Sequence, residues 1–149
     1  MTNKPQFEQP ALECLDSDAG ADSAEIAQRL GAEVAARFGP RDETPLSVLA
    51  RDASGALIGG LNGATHWRWL YVRHLWVAEA RRGEGLGRAL LAQAEACARR
   101  RDCIGVYIDT FEPAAAAFYE RAGFARFGEI ADFPHGSRRM FLSKRLDAK

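Results

Sequence analysis

Apolar side chains are distributed along this chain in two patterns, and each pattern predicts a type of secondary structure. Ile26, Leu30, Val34 and Phe38 recur every four residues and stop at Gly39-Pro40, which predicts an amphipathic helix. Shorter apolar runs bounded by Gly, Pro, Asp or Ser predict strands. The predicted strands are Ala11–Leu15, Leu46–Asp52, Leu57–Thr65, Trp69–Val77, Cys103–Ile108, Phe124–Ile130 and Arg139–Leu146.

Two further helices fit between the later strands. One runs from about Gly87 to Arg100 with Leu90 and Ala94 on its apolar stripe, and the other runs from Pro113, a favoured first position, to Ala122. The order is strand, helix, three strands, helix, strand, helix and two strands, which indicates an α/β layer structure. The strand–helix–strand segment in the middle predicts a parallel pair with a right-handed connection.

Composition narrows the class of protein. A length of 149 residues fits one domain, residues 1–149, with residues 1–10 as a loose lead-in. A net charge of zero, with 47% hydrophobic and 27% charged residues, is typical of a globular protein and gives no reason to expect a nucleic-acid partner. The block Arg99–Arg101 falls where a helix should end, so we expect a solvated cap there.

The remaining composition bears on location. No apolar run approaches the ~18 residues of a membrane span, and the first residues lack the apolar core of a signal peptide. Cys14, Cys97 and Cys103 are odd in number and show no CxxC spacing, so we expect free thiols, no metal site and a reducing, cytoplasmic location.

The segment EARRGEGLGRALLAQAE, residues 79–95, places glycines 83, 85 and 87 between a strand and a helix. Such a turn presents unpaired backbone N–H groups at the positive end of the helix dipole, which favours a phosphate. A P-loop is excluded because Arg88 and Ala89 stand where Lys and Ser or Thr are needed. A dinucleotide fingerprint is disfavoured because the third glycine comes one residue early.

A third phosphate-binding pattern fits this turn. The segment from Arg82 to Gly87 matches (Q/R)-x-x-G-x-(G/A), and downstream the chain reads Ala115-x-x-Phe118-Tyr119-x-x-x-Gly123-Phe124. With these two motifs, the chain resembles small single-domain bacterial members of the GCN5-related N-acetyltransferase (GNAT) superfamily over roughly residues 10–146.

The resemblance implies a fold and a co-substrate. The implied fold is a mixed, mostly antiparallel sheet of about seven strands, with helices on both faces and a splayed parallel pair. The implied co-substrate is acetyl-coenzyme A, with its pyrophosphate on the glycine turn and its pantetheine arm along the predicted strand Trp69–Val77. The residues implied to bind it are Leu75, Trp76, Val77, Arg82, Gly83, Glu84, Gly85, Leu86, Gly87, Arg88, Ala115 and Tyr119.

The resemblance also implies a reaction, in which the acetyl group moves directly to a primary amine of a small molecule. Tyr119 would act as general acid for the departing thiolate. His74 is a candidate base because its intrinsic pKa is near ~6.5, and Asp109 is a candidate anchor for the acceptor's ammonium. Two other functions stay open: an acyl-coenzyme A-binding or sensing protein without turnover, and an acetyltransferase for protein N-termini or lysines.

The acceptor and the assembly are less well defined by the sequence. The loops before Leu46, around His66 and from Asp132 to Arg138 are expected to line the acceptor pocket. The closing strands, with the apolar run Arg139–Leu142, suggest an edge that two copies could share in a homodimer.

Overall fold

The computed structural model describes residues 9–147. Contacts divide the chain at residue 40 into two compact units, Met1–Pro40 and Arg41–Lys149, and each is described by itself. The predicted loose lead-in falls mostly outside the described residues, and the single domain stays a prediction.

The first unit contains the predicted amphipathic helix, α1, at Gly20–Phe38. It ends where Gly39 adopts a φ of 86° and donates its N–H to the carbonyl of Ala35, a conformation that glycine adopts without strain. The prediction of a strand at Ala11–Leu15 is wrong, because these residues form no regular element. The run is only five residues long and is interrupted by Glu13, so it lacks the alternation that defines a half-buried strand.

The second unit is a six-stranded sheet with two helices. Its elements are β1 (Thr44–Arg51), β2 (Leu57–His66), β3 (Trp69–Val77), α2 (Leu86–Arg100), β4 (Gly105–Thr110), α3 (Pro113–Arg121), β5 (Ala125–Ala131) and β6 (Arg138–Arg145). The sheet order is β1-β2-β3-β4-β6-β5. Only β3 and β4 pair in parallel. The mixed, mostly antiparallel sheet with one parallel pair is confirmed, with six strands rather than seven.

Both helices of this unit pack on the same face of the sheet. Leu70, Val72, Val106 and Ile108 share one buried cluster with α2 and α3. Alternate residues of a strand point to opposite faces, so the side chains of Tyr71, Tyr107 and Asp109 lie on the other face. We call these the helix face and the open face of the second unit.

A buried ion pair holds the end of α3 against α2. The ammonium of Lys144 on β6 lies 2.9 Å from Glu95 Oε1 on α2. It also donates a hydrogen bond to the carbonyl of Ala122, the C-cap residue of α3, at 2.8 Å. The Glu95 side chain is only 9% exposed. A single cation therefore satisfies a buried carboxylate and a helix C-terminus together.

The arginine block at the end of α2 is exposed, and Arg101 is the C-cap of the helix, as expected. The Arg101 side chain also makes contacts that were not expected: its Nη1 donates to the carbonyl of Thr44 and to Thr65 Oγ1, and its Nη2 donates to the carbonyl of Pro45, all within 3.2 Å. The planar guanidinium suits these divergent acceptors. The residue therefore ties the end of α2 to β1 and β2.

The predicted edge lies on only one of the two closing strands. β6, which carries Arg139–Leu142, is not an edge, because it lies between β4 and β5 and is paired along both sides. The two edges of the sheet are β1 and β5, and the pairing of β5 with β6 is irregular between Arg126 and Gly128. Within residues 9–147, no helix combines the length and apolar content needed to cross a bilayer.

Candidate active site

The glycine turn leads into α2 with its backbone donors uncommitted. The helix begins at Leu86, its N-cap is Gly85, and no side chain caps it. The N–H of Ala89 is the first to reach back to a helical carbonyl, that of Gly85, at 3.0 Å. The N–H groups of the first turn therefore point out of the helix at the positive end of its dipole, as in an anion-binding site.

The three glycines of the turn are needed for different reasons. Gly83 and Gly85 have φ values of 80° and 82°, which side chains adopt only with strain. Gly87 is ordinary helix, and a Cβ added there would lie 3.5 Å from the ring of Phe118, a normal contact. The backbone therefore requires glycine at 83 and 85 and tolerates a small residue at 87.

Two arginines brace this turn. Arg82 Nε donates to the carbonyl of Val77, the last residue of β3, at 3.1 Å. Arg81 pairs with Glu84 at 3.0 Å. The Arg82 bond joins the turn to the end of β3 and uses only one of the guanidinium's donors.

The third strand parts from its parallel neighbour halfway along. β3 pairs with β4 from Trp69 to Val72, while its remaining residues pair only with β2. The register against β2 shifts between Asn62 and Gly63, so that Arg73 is an extra residue on β3, a β-bulge. A Cβ at Gly63 would lie 1.9 Å from the carbonyl oxygen of Tyr71, so only glycine fits opposite the bulge.

The parting leaves Leu75, Trp76 and Val77 without a strand on their β4 side. The splay that the resemblance implied is thus present, and a bulge accompanies it. Whether these three residues bind a pantetheine arm stays a prediction.

Tyr119 lies on the helix face, on α3, where it is only 5% exposed. Burial raises the pKa of its phenol to about 12. Its ring packs edge-on against Phe118 and Phe124. Among residues 9–147 its hydroxyl has no hydrogen-bond partner, and the one fully enclosed side-chain polar atom that lacks a partner is His66 Nδ1. The Tyr119 hydroxyl is therefore not completely enclosed and is free to donate.

Neighbouring residues of α3 have structural tasks. Ala115 is half-buried and packs against the core cluster. Glu112 caps the helix, accepting the N–H of Ala114 at 3.4 Å. A capping side chain is favoured at this position, so Glu112 has a structural explanation.

Asp109 is held on the open face by two partners. Tyr71 donates its hydroxyl to Oδ1 at 2.9 Å, and Arg139 Nε donates to Oδ2 at 2.6 Å. Burial, followed by the hydrogen bond with Asp109, raises the pKa of the Tyr71 phenol. The guanidinium compensates the charge of Asp109, and both carboxylate oxygens are occupied. The arrangement supports a positioning role for Asp109 better than direct capture of an ammonium.

His74 and His66 differ in their exposure and in their hydrogen-bond partners. His74 is exposed on the open face, and its Nδ1 lies 2.9 Å from Asn62 Oδ1. His66, the last residue of β2, has Nε2 3.2 Å from the hydroxyl of Tyr107. Burial, together with Arg41, lowers the pKa of His66, so its ring is neutral at pH 7. In the described part of the chain, no three His, Cys, Asp or Glu side chains are grouped to hold a metal ion.

The structure thus gathers the predicted residues into two groups. The glycine turn follows the parted half of β3, and Phe118, whose ring contacts Tyr119, lies beside Gly87 of this turn. Asp109 lies on the opposite face of the sheet with Tyr71 and Arg139. The roles of Tyr71 and Arg139 in fixing Asp109 were missed from the sequence. An alternating pattern on β3 and β4 could have indicated the Tyr71–Asp109 pair, whereas Arg139 lies thirty residues beyond Asp109.

Comparisons with known proteins agree with this geometry. Residues 13–124 match the acetyltransferase (GNAT) family. The chain is 43% identical over 130 residues to acetyltransferase Atu2258 of Agrobacterium fabrum, covering 87% of this chain and 94% of that one. It is 43% identical over 106 residues to the blasticidin-S acetyltransferase of Streptomyces morookaense, covering 68% and 78%. The crystal structure of a proposed acetyltransferase from Agrobacterium tumefaciens superposes with a TM-score of 0.81 at 41% identity, covering 93% of this chain and all of that one.

The different demands on the glycines give a paired prediction. Gly85→Ala forces a side chain into a left-handed conformation and should lower the free energy of unfolding by about 1–3 kcal/mol. Gly87→Ala lies inside the helix and should raise it by up to about 1 kcal/mol. Urea denaturation of the two variants and the parent measures both changes. Equal changes in the two variants would contradict this account of the turn.

The tyrosines give a spectroscopic prediction. The pKa values of Tyr71, Tyr107 and Tyr119 are all raised above 10, that of Tyr119 to about 12. A titration of tyrosinate absorbance should therefore place the ionisation midpoint of every phenol above pH 10 in the folded protein, with that of Tyr119 the highest at about 12. A raised folded-state pKa stabilises the fold below the unfolded value, so stability should fall as pH rises from 10 towards 12. Tyr119→Phe should remove the last ionisation and lessen that fall.

Proposed function

Because the chain belongs to the GNAT acetyltransferase family, and so uses acetyl-coenzyme A, we propose that it transfers the acetyl group directly to a primary amine of a small molecule. The observation that carries the proposal is an anion-binding turn that directly follows the strand half parted from β4, with Phe118, the neighbour of the unpartnered Tyr119 on α3, against this turn. The Streptomyces morookaense relative is named for its acceptor, blasticidin S, which supports a small-molecule acceptor here.

The residues of the gap fit the co-substrate. The outward N–H groups before Ala89, with Arg82 beside them, suit a diphosphate. The unpaired side of Leu75–Val77 offers backbone groups to an extended arm, as another strand would. When bound, acetyl-coenzyme A supplies an activated thioester carbonyl.

Tyr119 is the residue that we propose to interact with the leaving thiolate. With a pKa of about 12, its phenol stays protonated throughout the neutral range. A thiol, with a pKa near ~8.5, is the stronger acid, so complete proton transfer from Tyr119 to the thiolate is uphill. We infer that Tyr119 donates a hydrogen bond to the thiolate as the C–N bond forms and the C–S bond breaks. The proton that the nitrogen loses on becoming an amide then passes to the sulfur, so that the products are the acetylated amine and the free thiol.

The attacking amine must lose a proton on the open face. His74 is our proposed acceptor of this proton, directly or through water, because it follows the bulge on β3. The Asn62 amide oxygen beside Nδ1 favours a proton on that nitrogen, which leaves Nε2 as the basic atom. Asp109, already bound by Tyr71 and Arg139, is proposed to orient the acceptor side of the site.

Two finer points remain predictions. A cytoplasmic location rests on the three cysteines, which are free thiols in the described residues. A homodimer stays a prediction, and the apolar run Arg139–Leu142 does not support it, because β6 is an interior strand.

The test of the proposal is acetyl transfer itself. Purified protein, acetyl-coenzyme A and a panel of small primary amines should release free thiol in step with acetylated amine, measured by a thiol reagent and by mass spectrometry. A panel of peptides with free N-termini or lysines, assayed in parallel, should react more slowly. Thioester binding without any transfer would instead indicate a binding or sensing protein, and preferential peptide acetylation would move the function to protein acceptors.

Tyr119→Phe sharpens the test, because it removes one oxygen and preserves the packing with Phe118 and Phe124. A lost hydrogen bond to a charged group predicts a fall in kcat of about 10- to 150-fold at pH 7. The dissociation constant of coenzyme A, measured by calorimetry, should be little changed. Unchanged turnover would remove Tyr119 from the mechanism, and a parallel loss of coenzyme A binding would give it a structural role only.

A further inference from the structure

Two exposed aromatic rings share one guanidinium beside Asp109. Phe111 follows β4 and is 51% exposed, and Phe133, in the loop between β5 and β6, is 45% exposed. Their ring centroids lie 5.9 Å and 4.9 Å from Arg139 Cζ. Since both rings contact the same group, the three residues form one continuous patch, which we call the Phe111–Phe133 surface.

The loop that carries Phe133 is a built element. Asp132 donates its N–H to the carbonyl of Ser137 at 2.8 Å, and its Oδ1 accepts the N–H of Gly136 at 2.7 Å. Ser137 Oγ donates to the carbonyl of Phe111 at 3.2 Å. These bonds close the loop on itself and tie it to the end of β4, so the two rings are presented together.

The ionic groups in contact with the rings are already paired. Arg139 is paired with Asp109, which also accepts a hydrogen bond from Tyr71. Arg138 is paired with Glu129, and Asp132 accepts the N–H of Gly136 within its loop. The groups that remain open to a ligand beside Arg139 are therefore the two rings. Exposed phenyl rings beside a guanidinium offer stacking and edge contacts to a flat ring.

We propose that the Phe111–Phe133 surface selects acceptor amines that carry an aromatic or similarly flat unsaturated group. This inference rests on the proposed acetyl transfer, because it assigns the surface to the acceptor of that reaction. The position supports it: Phe111 directly follows the end of β4, two residues after Asp109, and Arg139 contacts both Asp109 and the Phe111 ring. An acceptor on this surface extends its amine towards the end of the β3–β4 gap.

The experiment compares two amines of equal length, 2-phenylethylamine and 2-cyclohexylethylamine, with spermidine as a polycationic third. The ratio of kcat/KM for the aryl over the cyclohexyl amine is measured in the parent and in Phe133→Leu. Comparing the ratios between proteins cancels the intrinsic reactivity of each amine. We expect the ratio to fall by about 2- to 12-fold in Phe133→Leu, mainly through KM of the aryl amine. Spermidine should be a poorer acceptor than the aryl amine.

Two variants control the experiment. Phe127→Leu alters another exposed phenylalanine, 62% exposed on β5 and packed near Phe141, and should leave the ratio unchanged. Phe133→Tyr should retain it. A ratio that is the same in the parent, Phe133→Leu and Phe127→Leu overturns the inference while leaving acetyl transfer intact. Failure of the parent to acetylate any amine in either panel would instead reject the proposed function.

Discussion

The site depends on a single irregularity, the extra residue Arg73 on β3. An inserted residue shifts the register against β2 and ends the pairing with β4 after Val72. It also brings the carbonyl of Tyr71 so close to Gly63 that a Cβ there would lie 1.9 Å from the oxygen. The bulge on β3 therefore requires glycine at position 63 of β2. Any larger residue there would clash with the backbone of β3.

Once β3 and β4 part, the two halves of the chemistry fall on opposite faces. Tyr119 belongs to the buried cluster on the helix face with Leu70 and Val72, while Asp109 and Tyr71 lie on the open face. A ligand that reaches both must pass between the strands. In the proposed reaction, the gap separates the departing thiolate from the arriving amine, and this arrangement suits a direct transfer between two substrates better than a route through an enzyme nucleophile.

The sequence predicts the local features of this site well because they depend on residues close together in the chain. The bounds of β3 agree with the apolar run from Trp69 to Val77, and the start of α2 is within one residue of the prediction. The requirement for glycine in the turn is also local, because a positive φ is a property of a single residue. Fold-level predictions failed where they needed pairing partners: Ala11–Leu15 forms no strand, and β6 is interior rather than an edge.

Side-chain pairs between distant strands were equally hard to predict. Asp109 was expected to attract an ammonium because the sequence shows a lone carboxylate after a buried strand. The fold places Arg139 against it, and Tyr71 occupies its second oxygen. With that charge balanced, the proposed acceptor surface consists of the Phe111 and Phe133 rings and a paired guanidinium. In that proposal shape and stacking matter more than charge complementarity, because a compensated ion pair attracts an ammonium weakly while its flanking rings keep their full contact surface.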